Sequence, residues 1–436
     1  MPTLQVITLG CSKNTVDTEH LLYQVRGSYE IVPEGEDRPV DVLAINTCGF
    51  IGDAKEQSIN TILAAAGRKS AGLVGRLIVF GCLSQRYPDD LPGLIPEVDG
   101  WYGARELDSL VKALGCSPDH NADYLRVRTD HRPYAYLKIS EGCNRRCSYC
   151  AIPFIRGAHR SVPMAKLVEE AKSLAADGVK ELIIIAQDTT YYGLDLYGRR
   201  ALAELLDRLS EVEGIERMRI HYSYPQDFPE DVLDRMANNP KVCRYMDIPL
   251  QHISDKVLEN MHRGVDGAWT RALVKKMRDK VPGLVLRTTF IVGHPGEGPA
   301  EFRELMKFVS ETGFQRMVAF TYSEEEGTYG AEHLEDSVTP RTKKNRLSRL
   351  MELQRGISLA YNQSRIGTVE KVLVDAFSDG ILICRSEFES PEVDGEILVK
   401  YSAPDFNGRQ PESLVGEFLD VRITGADEYD LTAEVL

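Results

Sequence analysis

No apolar run in this sequence approaches the ~18 residues that a membrane span requires. The opening stretch, Met-Pro-Thr-Leu-Gln-Val-Ile, lacks the basic segment, apolar core and cleavage site of a secretory signal. Positive charge is in short supply: 52 basic residues face 66 acidic ones, a formal net charge of −14. Phosphate repels such a surface, so nucleic acid is a poor default partner. There is no Gly-x-x-x-x-Gly-Lys-Ser/Thr phosphate loop, and Gly10-Cys11 does not extend to Gly-x-Gly-x-x-Gly. Nucleotide hydrolysis and dinucleotide binding therefore lose support. Internal repeats and low-complexity segments are missing too. What remains is a chain of 436 residues, 43% hydrophobic and 27% charged. That is the composition of a soluble globular protein of about two to four domains.

The nine cysteines are an odd number in a long chain without an export signal. This argues against a disulfide framework and for a reducing, cytoplasmic setting. Cys143, Cys147 and Cys150 form Cys-x-x-x-Cys-x-x-Cys. Structural zinc usually closes four ligands, and here there are three thiols, with His159 an ill-spaced fourth candidate. Three thiolates on a four-iron cube leave one iron open to an outside molecule.

Three segments emerge along the chain. In the first, residues 2–118, short β-rich runs at Leu4–Leu9, Asp41–Asn46 and Arg76–Phe80 are each followed by a cysteine: Cys11, Cys48 and Cys82. Helical patterns follow at Thr15–Gly27, Lys55–Gly67 and Arg86–Leu91. Strands alternating with helices predict a parallel sheet whose carboxyl ends share one edge. The three cysteines then meet at that edge although 34 to 37 residues separate them. Buried core cysteines are the plainer alternative, but such residues belong within strands or on helix faces, and these three stand just past strands. Cys116, Cys243 and Cys384 read as structural.

The second segment, 129–364, holds six strand candidates: Tyr134–Ile139, Glu181–Ala186, Arg217–Tyr222, Arg244–Ile248, Leu284–Val292 and Arg316–Thr321. Helical patterns lie between them. Six βα units predict a partial barrel rather than a closed eight-fold one, with the cysteine triad in the loop after its first strand. A basic helix, Pro340–Ser364, leads into the third segment, 365–436. There, short runs at Thr368–Val374, Ile381–Cys384, Glu396–Tyr401, Glu417–Ile423 and Leu431–Val435 predict a small antiparallel barrel. The whole is an α/β protein. Residues 365–436 carry 6 basic and 16 acidic side chains, against 6 and 1 in 340–364. An acidic barrel is the wrong sign for gripping RNA and the right one for a lysine- and arginine-rich protein.

The stretch Glu-Gly-Cys-Asn-Arg-Arg-Cys-Ser-Tyr-Cys resembles the radical S-adenosylmethionine (SAM) superfamily, in which the open iron takes the amino and carboxylate groups of SAM. With Gly10-Cys11-Ser12-Lys13-Asn14 and Asn46-Thr47-Cys48, the chain resembles the methylthiotransferases from Leu4 to Val435. The resemblance implies a methylthiotransferase N-terminal domain, a radical SAM core and a C-terminal TRAM domain. Pro391-Glu392-Val393-Asp394-Gly395 and the Glu324–Glu326 triplet look like the protein-modifying branch. That branch methylthiolates the β-carbon of an aspartate in ribosomal protein uS12. The tRNA-modifying branch shares the chemistry, and a non-catalytic iron–sulfur carrier or a zinc-stabilised RNA-binding module are readings from other classes.

On this resemblance Cys143, Cys147 and Cys150 are the catalytic cluster's ligands. Cys11, Cys48 and Cys82 hold an auxiliary [4Fe-4S] cluster, and two SAM molecules are used. A carbon radical suits the reaction, since a β-proton of aspartate is hardly acidic. An electron donor is implied; no membrane and no stable nucleic-acid partner are expected. Gln187, Asp188, Gln251 and Gly293, at strand ends, are the candidate SAM contacts. Arg156 and Arg160 are expected to meet a carboxylate of SAM or of the target, and His294 has no catalytic role.

Overall fold

The computed structural model describes residues 1–406 and 408–436. The chain divides into two compact units. One comprises Met1–His131, Ser140–Arg145 and Cys150–Glu170; the other comprises Arg132–Ile139, Arg146–Tyr149 and Ala171–Leu436.

The first unit is built on strands β1 (Thr3–Thr8), β2 (Glu30–Val32), β3 (Val40–Thr47), β4 (Val74–Gly81) and β5 (Gly100–Gly103). They form a parallel sheet in the order β2-β1-β3-β4-β5. Alternate residues of β3 and β4 feed opposite faces, as the pleat requires. Leu43, Ile45, Leu77 and Val79 pack with Ile62, Ala65 and Ala66 of the helix Gly52–Ser70. Val42, Ala44, Ile78 and Phe80 pack with Leu21, Leu22 and Val25 of the helix Ser12–Val25. The near-continuous apolar runs of the central strands are those of a parallel sheet covered on both faces. The expected helix Arg86–Leu91 is corrected to two short pieces, Cys82–Arg86 and Leu91–Leu94. Pro88 disfavours helical backbone at the residue before it, and Tyr87 leaves the helical region at φ −127°, ψ 54°. In the same unit β7 (Ser140–Glu141) and β8 (Arg160–Ser161) pair antiparallel.

In the second unit β6 (Tyr134–Lys138), β9 (Glu181–Ile185), β10 (Arg217–Ile220), β11 (Val242–Asp247), β12 (Val285–Val292) and β13 (Arg316–Thr321) form one parallel sheet in chain order. Its two edges, β6 and β13, do not pair with each other, so the barrel is partial, as six βα units predict. Strands β14 (Val369–Ser378), β15 (Ile381–Arg385), β16 (Ile397–Lys400), β17 (Phe418–Ala426) and β18 (Leu431–Val435) close into a small barrel. One detail differs from the antiparallel expectation: β16 and β18 pair parallel.

The helix Pro340–Ser364 is packed rather than a free linker. Its Gln354 donates to the Phe314 carbonyl at 2.9 Å, and Arg346 is buried on Glu297 at 2.9 Å. Much of the acidity of 365–436 is likewise turned inward. The amino ends of the barrel strands carry Glu181, Arg217, Arg219, Arg244, Arg287 and Arg316. Glu387 pairs with Arg244 at 2.6 Å, Glu389 with Arg316 at 3.1 Å and Asp394 with Arg287 at 3.8 Å. Glu370 pairs with Arg365 at 2.6 Å and Asp375 with Arg385. Apart from the half-exposed Glu387–Arg244 pair, these carboxylates neutralise guanidinium groups that are largely buried, a structural use that the net charge alone could not reveal. Asp379, Asp405, Glu412, Asp420 and Glu434 are among those left on the surface. Among the described residues no helix is long and apolar enough to cross a membrane.

Candidate active site

Cys11, Cys48 and Cys82 stand where the sheet predicts: Cys48 and Cys82 immediately past β3 and β4, and Cys11 three residues past β1. The strands are held in register (Thr8 opposite Asn46, Thr47 opposite Gly81). Asn14 and Asn46 lace the strand ends together. The Asn14 amide donates to the Leu9 carbonyl at 2.7 Å and the Thr47 carbonyl at 3.1 Å, and that of Asn46 to the Asn14 carbonyl at 2.9 Å. Glycines let the turns close. A Cβ on Gly10 would come within 2.7 Å of Cys48 Cβ, and one on Gly49 within 2.9 Å of the Cys82 carbonyl carbon. Cys11 is exposed, Cys48 half-buried and Cys82 buried.

Burial pushes the Cys82 thiol up to about 12; the neighbouring Arg156 opposes this, and Cys11 and Cys48 add to it. The three sulfurs thus feel one another. Among the described residues, however, no three such side chains close on a point as a single ion would need. A donor set of three thiols suits a four-iron cluster with one open iron better than a closed four-ligand zinc site.

Cys143, Cys147 and Cys150 lie in the loop that follows β7, and all three are half-buried. Hydrogen-bond donors are aimed at their sulfurs. The Arg145 amide donates to Cys143 Sγ at 3.4 Å, and Arg263 Nη1 donates to Cys147 Sγ at 3.5 Å. Donors on sulfur favour the thiolate, the form that binds iron. Arg263 and Tyr224 are the residues that sequence reasoning missed around this loop, whereas Tyr149 was legible as part of the cysteine motif. Arg263 also donates to the Tyr149 hydroxyl at 3.3 Å and the Pro249 carbonyl at 2.6 Å. The ring of His159, the ill-spaced fourth zinc candidate, has its Nε2 3.0 Å from Ser161 Oγ.

The SAM candidates fare unevenly. Gln187, Asp188, Gln251 and Gly293 all stand just past the carboxyl ends of β9, β11 or β12. Gln251 is left-handed at φ 72°, and its amide oxygen is buried with no hydrogen-bond partner. That orphaned acceptor suits a bound ammonium or hydroxyl. Asp188 Oδ1 caps the next turn, accepting from Thr190 N at 3.0 Å. At Gly293 the space a Cβ would take is filled by Lys343, so packing accounts for that glycine. His294 is fully buried, and burial pushes its imidazole down to about 4. Arg160 is exposed. Arg156 meets carboxylates of its own chain, Asp17 at 2.7 Å and Glu141 at 3.1 Å.

Three families match consecutive parts of the chain: the uncharacterized protein family UPF0004 over residues 3–103, the radical SAM superfamily over 137–309 and the TRAM domain over 366–436. A ribosomal protein uS12 methylthiotransferase RimO of Porphyromonas gingivalis is 47% identical over 99% of both chains. The RimO of Flavobacterium johnsoniae is 49% identical over 99% of this chain and 97% of its own. The chain belongs to the RimO family. It is a transferase of the radical SAM class, for which SAM and an iron–sulfur cluster are the cofactors. Among solved structures, the radical SAM methyltransferase TsrM of Kitasatospora setae, with cobalamin and a [4Fe-4S] cluster bound, shares the fold at 14% identity. Its TM-score is 0.56, over 76% of this chain and 74% of that one. The SAM-bound radical enzyme OxsB gives a TM-score of 0.52 at 13% identity, over 80% and 56% of the two chains.

Proposed function

We propose that this chain methylthiolates the β-carbon of an aspartate in ribosomal protein uS12, as the names of its full-length relatives suggest. The observation that carries the reading is the pair of separate three-cysteine sets, each with a buried arginine donating to one sulfur. Cys143, Cys147 and Cys150 would hold the cluster that binds SAM, and Cys11, Cys48 and Cys82 an auxiliary four-iron cluster; two SAM molecules are used. When bound, these groups supply an electron that cleaves SAM and a carbon radical that takes the hydrogen from the substrate. Gln251 would accept a hydrogen bond from SAM, with Gln187, Asp188 and Gly293 beside it. The division is into residues 2–118, 129–364 and 365–436. A reducing cytoplasm would keep the thiols available, and an electron donor is required.

The exposed Glu324 and Glu326, just past the carboxyl end of β13, favour a basic protein at the catalytic edge over tRNA phosphate. Intact mass of uS12 after incubation tests this. A gain of one methylthio group is expected. Cys82→Ala should abolish it while 5′-deoxyadenosine still forms, and Cys147→Ala should abolish both. Modification of a tRNA adenosine with uS12 untouched would overturn the substrate assignment.

A further inference from the structure

Arg156 is 2% exposed in its side chain, and every group it touches belongs to the first unit. Its Nε donates to Cys82 Sγ at 3.3 Å. Nη1 lies 2.7 Å from Asp17 and 3.1 Å from Glu141, and Nη2 donates to Asn14 Oδ1 at 2.5 Å. The planar fork thus uses all three nitrogens, a geometry that a lysine ammonium cannot reproduce. The apolar side of the same short helix, Ile152–Arg156, also sits on this cysteine: Ala151 and Ile155 pack against Cys82. Glu141 stands two residues before Cys143, and Arg156 six residues after Cys150. The two flanks of the SAM-cluster loop are therefore joined to each other and to one ligand of the auxiliary set.

We propose that Arg156 is a positioning residue that sets the reduction potential of the auxiliary cluster through its N–H···S bond to Cys82, with Asp17 and Glu141 trimming its charge. This rests on the two-cluster reading above. A hydrogen bond to a ligating sulfur withdraws electron density and raises the potential, and so does a nearby positive charge. Two carboxylates against one guanidinium hold that effect in check. Arg156→Gln removes the donor and the charge, leaving both carboxylates uncompensated. Asp17→Asn removes one negative charge and keeps the N–H···S bond. The two substitutions should move the potential in opposite directions.

The test is an anaerobic redox titration of the reconstituted full chain, followed by electron paramagnetic resonance, with iron and sulfide measured in parallel. The SAM-binding cluster is distinguished by the change in its signal on adding SAM. For Arg156→Gln, the reduced-to-oxidised ratio of the auxiliary cluster at the wild-type midpoint should fall about tenfold, a shift of about 59 mV for one electron. Arg156→Lys should shift it less. Asp17→Asn should shift it upward, and this arm decides the matter if Arg156→Gln fails to assemble its cluster. An Asp17→Asn midpoint that stays put or moves downward, with full iron content, overturns the inference. So does an assembled Arg156→Gln with an unmoved midpoint. A wild-type chain that binds only about four irons rather than about eight would overturn the two-cluster reading itself.

Discussion

Cys143, Cys147 and Cys150 share eight residues of chain, whereas Cys11, Cys48 and Cys82 come together only because three strands of a parallel sheet are in register. The first set is a local motif; the second exists only once β1, β3 and β4 have paired. Their arginines differ as well. Arg156 at Cys82 is matched by two carboxylates. The guanidinium of Arg263 at Cys147 has the Tyr149 hydroxyl, the Tyr224 ring and a carbonyl for neighbours, and no carboxylate pairs with it among the described residues. A buried guanidinium without a carboxylate needs other acceptors, and Cys147 Sγ is one of them at 3.5 Å. The arginine of the loop site therefore rests on neutral acceptors and a ligand sulfur, while that of the strand-end site is balanced by carboxylates around it.

A left-handed glycine directly before one cysteine of each set gives the largest test of this contrast. Gly81 precedes Cys82 at φ 104°, and a Cβ there would lie 2.5 Å from Asn46 Oδ1 and 2.8 Å from the Thr47 carbonyl oxygen. Gly142 precedes Cys143 at φ 76°, and its Cβ would overlap the Ala158 carbonyl. Left-handed backbone alone costs an ordinary residue about 1–3 kcal/mol, and the overlap adds to that. Gly81→Ala should lose about half the bound iron and all methylthiolation while keeping 5′-deoxyadenosine formation. Gly142→Ala should lose 5′-deoxyadenosine formation. Equal loss of both clusters in Gly81→Ala would break the comparison.

The same contrast governs what could be read from the sequence. The loop triad is visible as spacing alone. The strand-end trio is legible because apolar runs mark β1, β3 and β4, and a parallel sheet puts their carboxyl ends on one edge. The edge strands β2 and β5 went unseen because three or four residues carry no alternation to read. Asn14 was visible only as part of a motif, and its lacing of strand ends depends on register. Arg263 lies 116 positions from Cys147 and had no local signal. Arg156 was noticed, but its partner Asp17 lies 139 positions away, and only the fold joins them. The acidity of 365–436 misled for a related reason. Composition counts Glu370, Asp375, Glu389 and Asp394 as surface charge, although they serve arginines inside.

Arg263 offers a narrower test. Removing a group that orients a ligand typically costs 10–100-fold in metal affinity or activity. Arg263→Gln should therefore slow 5′-deoxyadenosine formation about 10- to 100-fold, with iron at Cys11, Cys48 and Cys82 unaffected. Arg263→Lys should recover part of the rate, since it keeps the charge and loses the fork. A rate loss in methylthiolation alone, with SAM cleavage intact, would place Arg263 at the wrong site.

Acid should separate the sites more gently. His294 is buried beside the loop triad, its Nε2 3.4 Å from Ser148 Oγ and its Nδ1 3.0 Å from the Pro295 carbonyl oxygen. Burial lowers its pKa from 6.5 to about 4. Between those values the unfolded chain binds the proton that the folded chain refuses, so stability rises with pH. The contribution is fully present above pH 6.5 and is lost as pH falls toward 4; the shift corresponds to about 3 kcal/mol. Denaturant titrations of the chain at pH 7 and pH 5 measure it. His294→Gln should flatten that slope, because the amide does not titrate. An unchanged slope in His294→Gln would show that the acid sensitivity of this region has another origin.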